Sequence, residues 1–386
     1  MQSRVLISAG EASGDLYAAG LVRALQAQYP HLEFFGCAGP RMQACGVDPV
    51  VDAHSLAVVG LVEVLRHIPR IYGEYRKLLR EVERRRPEVA ILTDSPDFHL
   101  RLARRLKRMG IPVIYLVAPQ VWAWRKDRLP MMRRTLDRLL CIFPFEEAFF
   151  QRHGLAASYI GHPLSRLIRP SNTPGELRRR FGVEAGTPLI ALLPGSRTGE
   201  VMRHLPDLLE AAERIASARP VRFILALPQG FSDRADLATF RERFSRSSIQ
   251  VQEGQTWDVL ACADLALAAS GTVTVEACLL KTPMVTFYRV NGLSWLLGKI
   301  LVRVPFYSMV NLMAGRAIVP ELIQGQLSGK RLAQEALRLL DDTGAMATMQ
   351  AELGKVADTL AGSEDPLQVA AAHVGHFLKE EFVHVS

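Results

Sequence analysis

Two aspartates three residues apart, Asp94 and Asp97, lie in the stretch TDSPDFH (93–99), directly after the apolar run EVAILT. A carboxylate at the carboxyl end of a strand can take a proton from a substrate hydroxyl, provided water is excluded and the hydroxyl lies within hydrogen-bond reach. The same residues also suit a helix start, with Asp94 or Ser95 as the cap, Pro96 in the first turn and Asp97 against the positive end of the dipole. Base and cap fit the pattern equally well. Three further loops bear glycine: SAGEASGD (8–15), PGSRTGE (194–200) and ASGTVTVE (269–276). Glycine lets a ligand approach the backbone, and a following helix offers unpaired N–H groups at its positive end, so anions belong there. Each helix N-terminus contributes about 0.3–1 kcal/mol to a nearby charge. Two of them plus Arg197 would neutralise a diphosphate well. Singly, each loop is equally a turn with an N-cap; the signal is their coincidence at equivalent places.

Those places follow from the elements around them. Apolar runs alternate with amphipathic helical runs from the start: RVLISA, GDLYAAGLVRALQAQ, LEFFGCAG, EVAILTD, FHLRLARRLKRMG, IPVIYLVA. That alternation predicts a parallel sheet with helices on both faces. It pauses at GHPLSRLIRPSNTPGELRRRFG and restarts with PLIALLPG, a helix from about Glu200, VRFILALP, IQVQE, WDVLACA, DLALAAS and PMVTFYRV. The fold class is therefore α/β, with two Rossmann-like, doubly wound parallel-sheet domains facing a cleft. Ligands are expected beyond the carboxyl ends of the strands. Residues 1–165 make the first domain, completed by a C-terminal helix at about 365–386, and residues 166–364 make the second.

Composition bounds the chemistry. The 386 residues are 49% hydrophobic and 22% charged, which is globular and long enough for two cores. A net charge of +8 favours an anionic partner: nucleic acid, a phosphorylated small molecule or an acidic membrane face. The basic residues are spread over both halves and no RNP or KH loop is present, so nucleic acid is not expected. Cys37, Cys45, Cys141, Cys262 and Cys278 form no C-x-x-C pair and read as buried free thiols. No run reaches the roughly 18 apolar residues of a membrane span. LSWLLGKILVRVPFYSMVNLM holds Lys299 and Arg303, and suits either lying on a membrane or ordinary helix packing. A cytoplasmic protein with peripheral attachment is the expectation.

Nucleotide fingerprints fail. The first loop reads G-x-x-x-G where a dinucleotide fold wants G-x-G-x-x-G, FFGCAG carries no acid for a ribose, and GQLSGKR lacks the spacing and the Ser or Thr of a Walker loop. No D-x-D motif ends a strand, and helix dipoles with Arg197 can do the neutralising that Mg²⁺ does elsewhere. No metal and no cofactor are expected. In YLVAPQVWAWRKDR, Trp122 and Trp124 sit beside Arg125, Lys126 and Arg128. Such rings stack on sugars, sit at lipid interfaces or touch nucleic acid, and most often anchor a loop in the core. EVLRHIPRIYGEYRKLLREVERRR reads as an amphipathic helix whose basic face meets water or a membrane surface.

In order along residues 4–325, SAGEASGDLYAAGL, GCAGPRM, VVGLVEVL, DSPDFH, VWAWR, CIFPFE, YIGHPL, LLPGSRTGEV, ASGTVTVEACLLKTPMV and NLMAGRAIVPELIQ together resemble the lipid-A-disaccharide synthases, bacterial glycosyltransferases of lipopolysaccharide assembly. The resemblance implies a B-type glycosyltransferase fold, with the first domain on the acceptor side and the second binding the UDP-sugar. It also implies inverting transfer of 2,3-diacylglucosamine from its UDP derivative to 2,3-diacylglucosamine 1-phosphate, giving a β(1→6) disaccharide and UDP. By match to the family's acidic loop, Asp97 is the base and Asp94 its orienting neighbour. Ser8, Gly10, Glu11, Ser13 and Gly14 are implied on the acceptor side, the loop being bare so that sugar and phosphate lie against backbone. Arg197 with the backbone of Gly271 and Thr272 is implied at the diphosphate, Glu276 at the ribose, and Asn311 near the sugar or phosphate. Partners implied are the two sugar lipids, the cytoplasmic face of the inner membrane and a second copy of the chain.

Four positions depart from the family pattern: His99 stands where Asn is usual, Ser95 replaces Ala, Cys37 interrupts a glycine-rich turn and Val310 replaces Pro before Asn311. His99 bears on proton affinity near Asp97 and hence on the pH optimum. The rival readings are another UDP-sugar enzyme of the same fold, such as a 2-epimerase or a peptidoglycan glycosyltransferase, and a basic membrane- or nucleic-acid-binding protein with no chemistry. An epimerase needs no apolar acceptor surface.

Overall fold

Val5, Leu6 and Ile7 are fully buried, as are Val89 to Leu92, Val113 to Leu116 and Leu189 to Leu192. Strands covered on both faces carry continuous apolar runs rather than an alternation. In the computed structural model, which describes residues 3–53, 61–231, 235–246, 248–291 and 304–378, those runs form two all-parallel sheets. The LSWLLGKILVR stretch (293–303), with Lys299 and Arg303, lies outside the described residues, as does the end of the chain beyond residue 378.

The first sheet contains β1 (Arg4–Ser8), β2 (Glu33–Ala38), β3 (Asp48–Asp52), β4 (Val89–Thr93), β5 (Val113–Leu116), β6 (Arg138–Cys141) and β7 (Ala157–Tyr159), in spatial order β3-β2-β1-β4-β5-β6-β7. The second contains β8 (Leu189–Leu193), β9 (Arg222–Leu227), β10 (Ile249–Glu253), β11 (Leu265–Ala269), β12 (Met284–Tyr288) and β13 (Glu321–Ile323), in order β10-β9-β8-β11-β12-β13. Each order reverses once. The reversal lies between β1 and β4, where Ile7 pairs with Ile91, and between β8 and β11, where Leu192 pairs with Leu267. In open parallel sheets the crevice at such a reversal is where ligands bind.

The four loops singled out by chemistry are the four that flank these reversals. Residues 8–15 follow β1, 93–99 follow β4, 194–200 follow β8 and 269–276 follow β11. Each leads into a helix: Ala12–Gln28, Pro96–Arg108, Thr198–Ala218 and Thr272–Leu279.

One unit of the chain runs through Leu167 and resumes at Leu360, and the other covers Ile168–Thr359. In the first, the helix Pro366–Gly375 packs on Ala12–Gln28, where Leu367 lies against the bare face of Gly20 and Gln28 bonds Gln368. All five cysteines are free; Cys37, Cys141, Cys262 and Cys278 are buried and Cys45 is half-buried.

Candidate active site

In the first unit the chain leaves β4 through two consecutive left-handed residues, Asp94 (φ 51°) and Ser95 (φ 35°). For residues with a Cβ this backbone costs on the order of 1 kcal/mol or more each and persists only where other contacts over-determine it. They do so here. The Asp94 carbonyl accepts from Tyr115 Oη at 2.5 Å and faces His99 Nδ1 at 3.0 Å, while its carboxylate accepts from Gly10 N at 2.8 Å and Glu11 N at 3.0 Å. Asp94 is thus a brace between the two loops. It binds the start of the Ala12–Gln28 helix as an external anion would.

This brace corrects the reading of the first loop. A Cβ on Gly14 would lie 1.7 Å from Asp94 Oδ2, and one on Gly10 would lie 2.4 Å from Ser95 Oγ. The loop is bare to admit the protein's own neighbouring loop, not to expose backbone to a sugar at those two positions. Ser8 is fully buried and also turned inward: its Oγ lies 2.7 Å from His99 Nε2. With Nδ1–H donating to the Asp94 carbonyl, Nε2 accepts from the Ser8 hydroxyl, which is the neutral tautomer. Burial pushes His99 down to about 4, consistent with that neutral ring, and pushes the Asp94 carboxyl up to about 7 against the two amides that favour its charge. Both ring nitrogens of His99 are thus engaged by Ser8 and by the Asp94 carbonyl. Glu11 and Ser13 remain half-buried at the loop surface.

Asp97 has a different environment. It sits in the first turn of Pro96–Arg108 with its side chain 75% exposed, and its Oδ1 accepts from Arg128 Nη2 at 2.5 Å. Asp94 does not orient it, since both Asp94 oxygens go to Gly10 and Glu11. Ser95 occupies the cap position without a side-chain cap bond. The two tryptophans differ in their surroundings. Trp122 anchors the loop, donating Nε1–H to the fully buried Glu146 at 3.0 Å, and Trp124 is 43% exposed with the Arg125 and Arg128 guanidiniums 5.5 and 5.9 Å from its ring. Burial raises Glu146 to about 8.

In the second unit Arg197 is the cap residue of Thr198–Ala218, 40% exposed, with Nη1 3.3 Å from Glu200 Oε1. Glu200 also accepts from Tyr288 Oη at 3.1 Å and fills the space beside Gly195, whose φ is 120°. Gly271 behaves differently from Gly10, Gly14 and Gly195. It caps Thr272–Leu279, is exposed together with Thr272, and a Cβ there would meet nothing within 4 Å. Its backbone is open to a ligand. Glu276 is half-buried on the same helix.

Asn311 is fully buried and its amide is fully used. Nδ2 donates to Val319 O at 2.9 Å and to Glu321 Oε1 at 2.7 Å, and Oδ1 accepts from Ile318 N at 2.8 Å and Val319 N at 3.0 Å. No capacity is left for a ligand, which corrects its placement beside the sugar or phosphate. It shapes the loop that Ser270 grips through Tyr307 O at 3.1 Å. In the sequence Arg128 is one of several cations near the tryptophans, and its pairing with Asp97 is visible only in the fold. An arginine followed by the apolar Leu129 hints at burial, but nothing local points to Asp97.

A family model described as lipid-A-disaccharide synthetase matches residues 5–372. The chain is 56% identical over 383 residues to the lipid-A-disaccharide synthase of Solibacter usitatus, spanning 99% of this chain and all of that one. It is 40% identical to the synthase of Myxococcus xanthus over 95% of this chain and 97% of that one. Among solved structures it is similar to S. aureus MnaA with UDP (TM-score 0.68, 12% identity, 97% and 96% coverage). It is also similar to the UDP-GlcNAc 2-epimerase of Neisseria meningitidis bound to UDP-GlcNAc (TM-score 0.64, 11% identity, 97% and 98% coverage). At those identities the structures speak for the fold.

Proposed function

Since the chain belongs to the lipid-A-disaccharide synthetase family, we infer that it transfers 2,3-diacylglucosamine from its UDP derivative to 2,3-diacylglucosamine 1-phosphate. The products are the β(1→6) disaccharide 1-phosphate and UDP. Within the molecule the reading rests most on Asp97: a carboxylate 75% exposed at the strand-order reversal of the first sheet, with one oxygen held by Arg128.

In this mechanism Asp97 Oδ2 takes the proton from the acceptor O6–H as O6 forms its bond to the anomeric carbon. The bond from that carbon to the diphosphate oxygen breaks, its electron pair leaves with UDP, and the centre inverts. Only interactions that strengthen as charge moves to the leaving group accelerate the step. Arg197 and the N–H groups of Gly271 and Thr272 are assigned that task, with Glu276 at the ribose. Glu11 and Ser13 border the acceptor. Ser8, Gly10, Gly14, Asp94 and Asn311 serve as frame.

The acyl chains of both substrates favour work at a membrane surface. No helix among the described residues is long and apolar enough to cross one. The helix Leu61–Arg85 exposes Arg70, Tyr72, Arg76, Lys77 and Arg80, a basic and aromatic face suited to an anionic bilayer.

The test is UDP release in detergent from the UDP-diacylglucosamine donor, with and without the 1-phosphate acceptor and with EDTA. Release that needs the acceptor and ignores EDTA is expected. A donor that is epimerised, or hydrolysed equally fast without acceptor, would overturn the reading.

A further inference from the structure

Arg128 and Asp97 form an unequal pair. The arginine side chain is 5% exposed and the aspartate 75%. A buried guanidinium needs a counter-charge, because an unpaired buried ion costs several kcal/mol. Asp97, at the surface, has water available and does not need the arginine for solvation. Asp97 forms the ion pair with Arg128, and the Trp124 ring lies 5.9 Å from the guanidinium; Asp127, the preceding residue, and the Tyr115 hydroxyl also feel its charge. The Arg128 backbone ends the turn Lys126–Arg128 with its N–H on Arg125 O at 3.0 Å, and its side chain is packed away from solvent.

We propose that Arg128 is a positioning residue for the transfer, one that holds Asp97 Oδ1 so that Oδ2 is presented to the acceptor hydroxyl. This rests on the assignment of Asp97 as the base. An exposed aspartate alternates among rotamers, and a base that samples the wrong ones is out of hydrogen-bond reach for much of the time. Anchoring one oxygen to a buried cation removes those rotamers without touching the reacting atoms. The Trp124 ring, 5.9 Å from the guanidinium, adds a cation–π contact on the arginine's side of the pair.

The inference separates from a merely structural ion pair, and from a direct contact between Arg128 and the acceptor phosphate, in a double-mutant cycle on the full chain. Asp97→Asn, Arg128→Gln, Arg128→Lys and the double variant Asp97→Asn/Arg128→Gln are compared by kcat, KM for each substrate, and UDP affinity. Arg128→Gln is expected to lower kcat about 10²-fold, the order reached when a reacting group is misplaced, with KM for both substrates and UDP affinity within about threefold. Arg128→Lys should recover at least a tenth of wild-type turnover. In the Asp97→Asn background Arg128→Gln should change kcat less than about threefold, because a residue that acts through another is silent once that other is gone.

Unchanged turnover in Arg128→Gln overturns the inference, and so does a full further loss in the Asp97→Asn background. A rise in acceptor KM with kcat preserved assigns Arg128 to substrate binding and overturns it too. If Asp97→Asn alone leaves turnover intact, the base assignment fails with it. Loss in Arg128→Gln alongside an impaired Asp97→Asn, but without the expected non-additivity, sinks this inference while sparing the base. Intact UDP affinity and a single cooperative transition in urea show that each variant is folded, with Asp97→Asn expected at a lower midpoint because it leaves Arg128 unpaired.

Discussion

Gly14 and Asp94 exclude any side chain between them: a Cβ on Gly14 would lie 1.7 Å from Asp94 Oδ2 and 2.7 Å from its Cγ. The Ala12–Gln28 helix can approach the loop after β4 only because this face is bare, and that approach brings Gly10 N and Glu11 N onto the carboxylate. Gly14→Ala is expected to destabilise the protein by about 1–3 kcal/mol, the usual cost of overpacking. The gain in helix propensity from alanine, up to about 1 kcal/mol, is smaller. In an Asp94→Ala background the clash is gone, and the same substitution should be neutral or stabilising. Urea unfolding of the four proteins checks this; equal costs in both backgrounds would show that the carboxylate is not what Gly14 accommodates.

Two buried groups tie stability to pH in opposite directions. His99 is about 4 in the folded protein and near 6.5 when unfolded. Between those values only the unfolded chain holds the proton, so its contribution is present above 6.5 and is lost as pH falls towards 4, by up to about 3 kcal/mol. Glu146 is about 8 when folded and near 4.5 when unfolded. There the folded chain holds the extra proton, so the contribution is present below 4.5 and is lost as pH rises to 8. Wild type should therefore gain on His99→Asn as pH rises from 4.5 to 6.5. Glu146→Gln should gain on wild type from pH 5 to 8 and stay level above. Unfolding midpoints parallel in pH for all three proteins would show that neither group is buried as described.

Arg197 caps the helix at the exit of β8 and leans on Glu200. Hydrogen bonds to charged groups contribute about 1.5–3 kcal/mol, so Arg197→Ala should weaken UDP binding about 10- to 100-fold in calorimetry with little change in stability. Affinity equal to wild type would clear Arg197 of the diphosphate.

Asn311→Ala removes four hydrogen bonds and strands two buried amides, Ile318 N and Val319 N. A loss of about 2–6 kcal/mol is expected, since each of the two orphaned buried donors costs about 1–3. Stability preserved together with weakened UDP binding would restore Asn311 as a ligand contact.

The chain order by itself determined the two parallel sheets and put the four loops of interest at strand exits. Runs such as VLIS and LIALL are apolar throughout because both faces of a parallel sheet are covered, and glycine-bearing turns mark the strand exits; both signals are local. Ten co-linear motifs fixed the family in the same way. Which aspartate braces and which faces solvent was decided only in three dimensions. Asp94 and Asp97 share one turn of chain, yet Asp94 meets Gly10 across 84 positions and Asp97 meets Arg128 across 31. Partners that distant depend on strand order and on left-handed backbone at Asp94 and Ser95, neither of which residue type or spacing encodes. For the same reason Gly14 and Gly271 look alike in sequence and differ in space, one filled by the protein's own carboxylate and the other open.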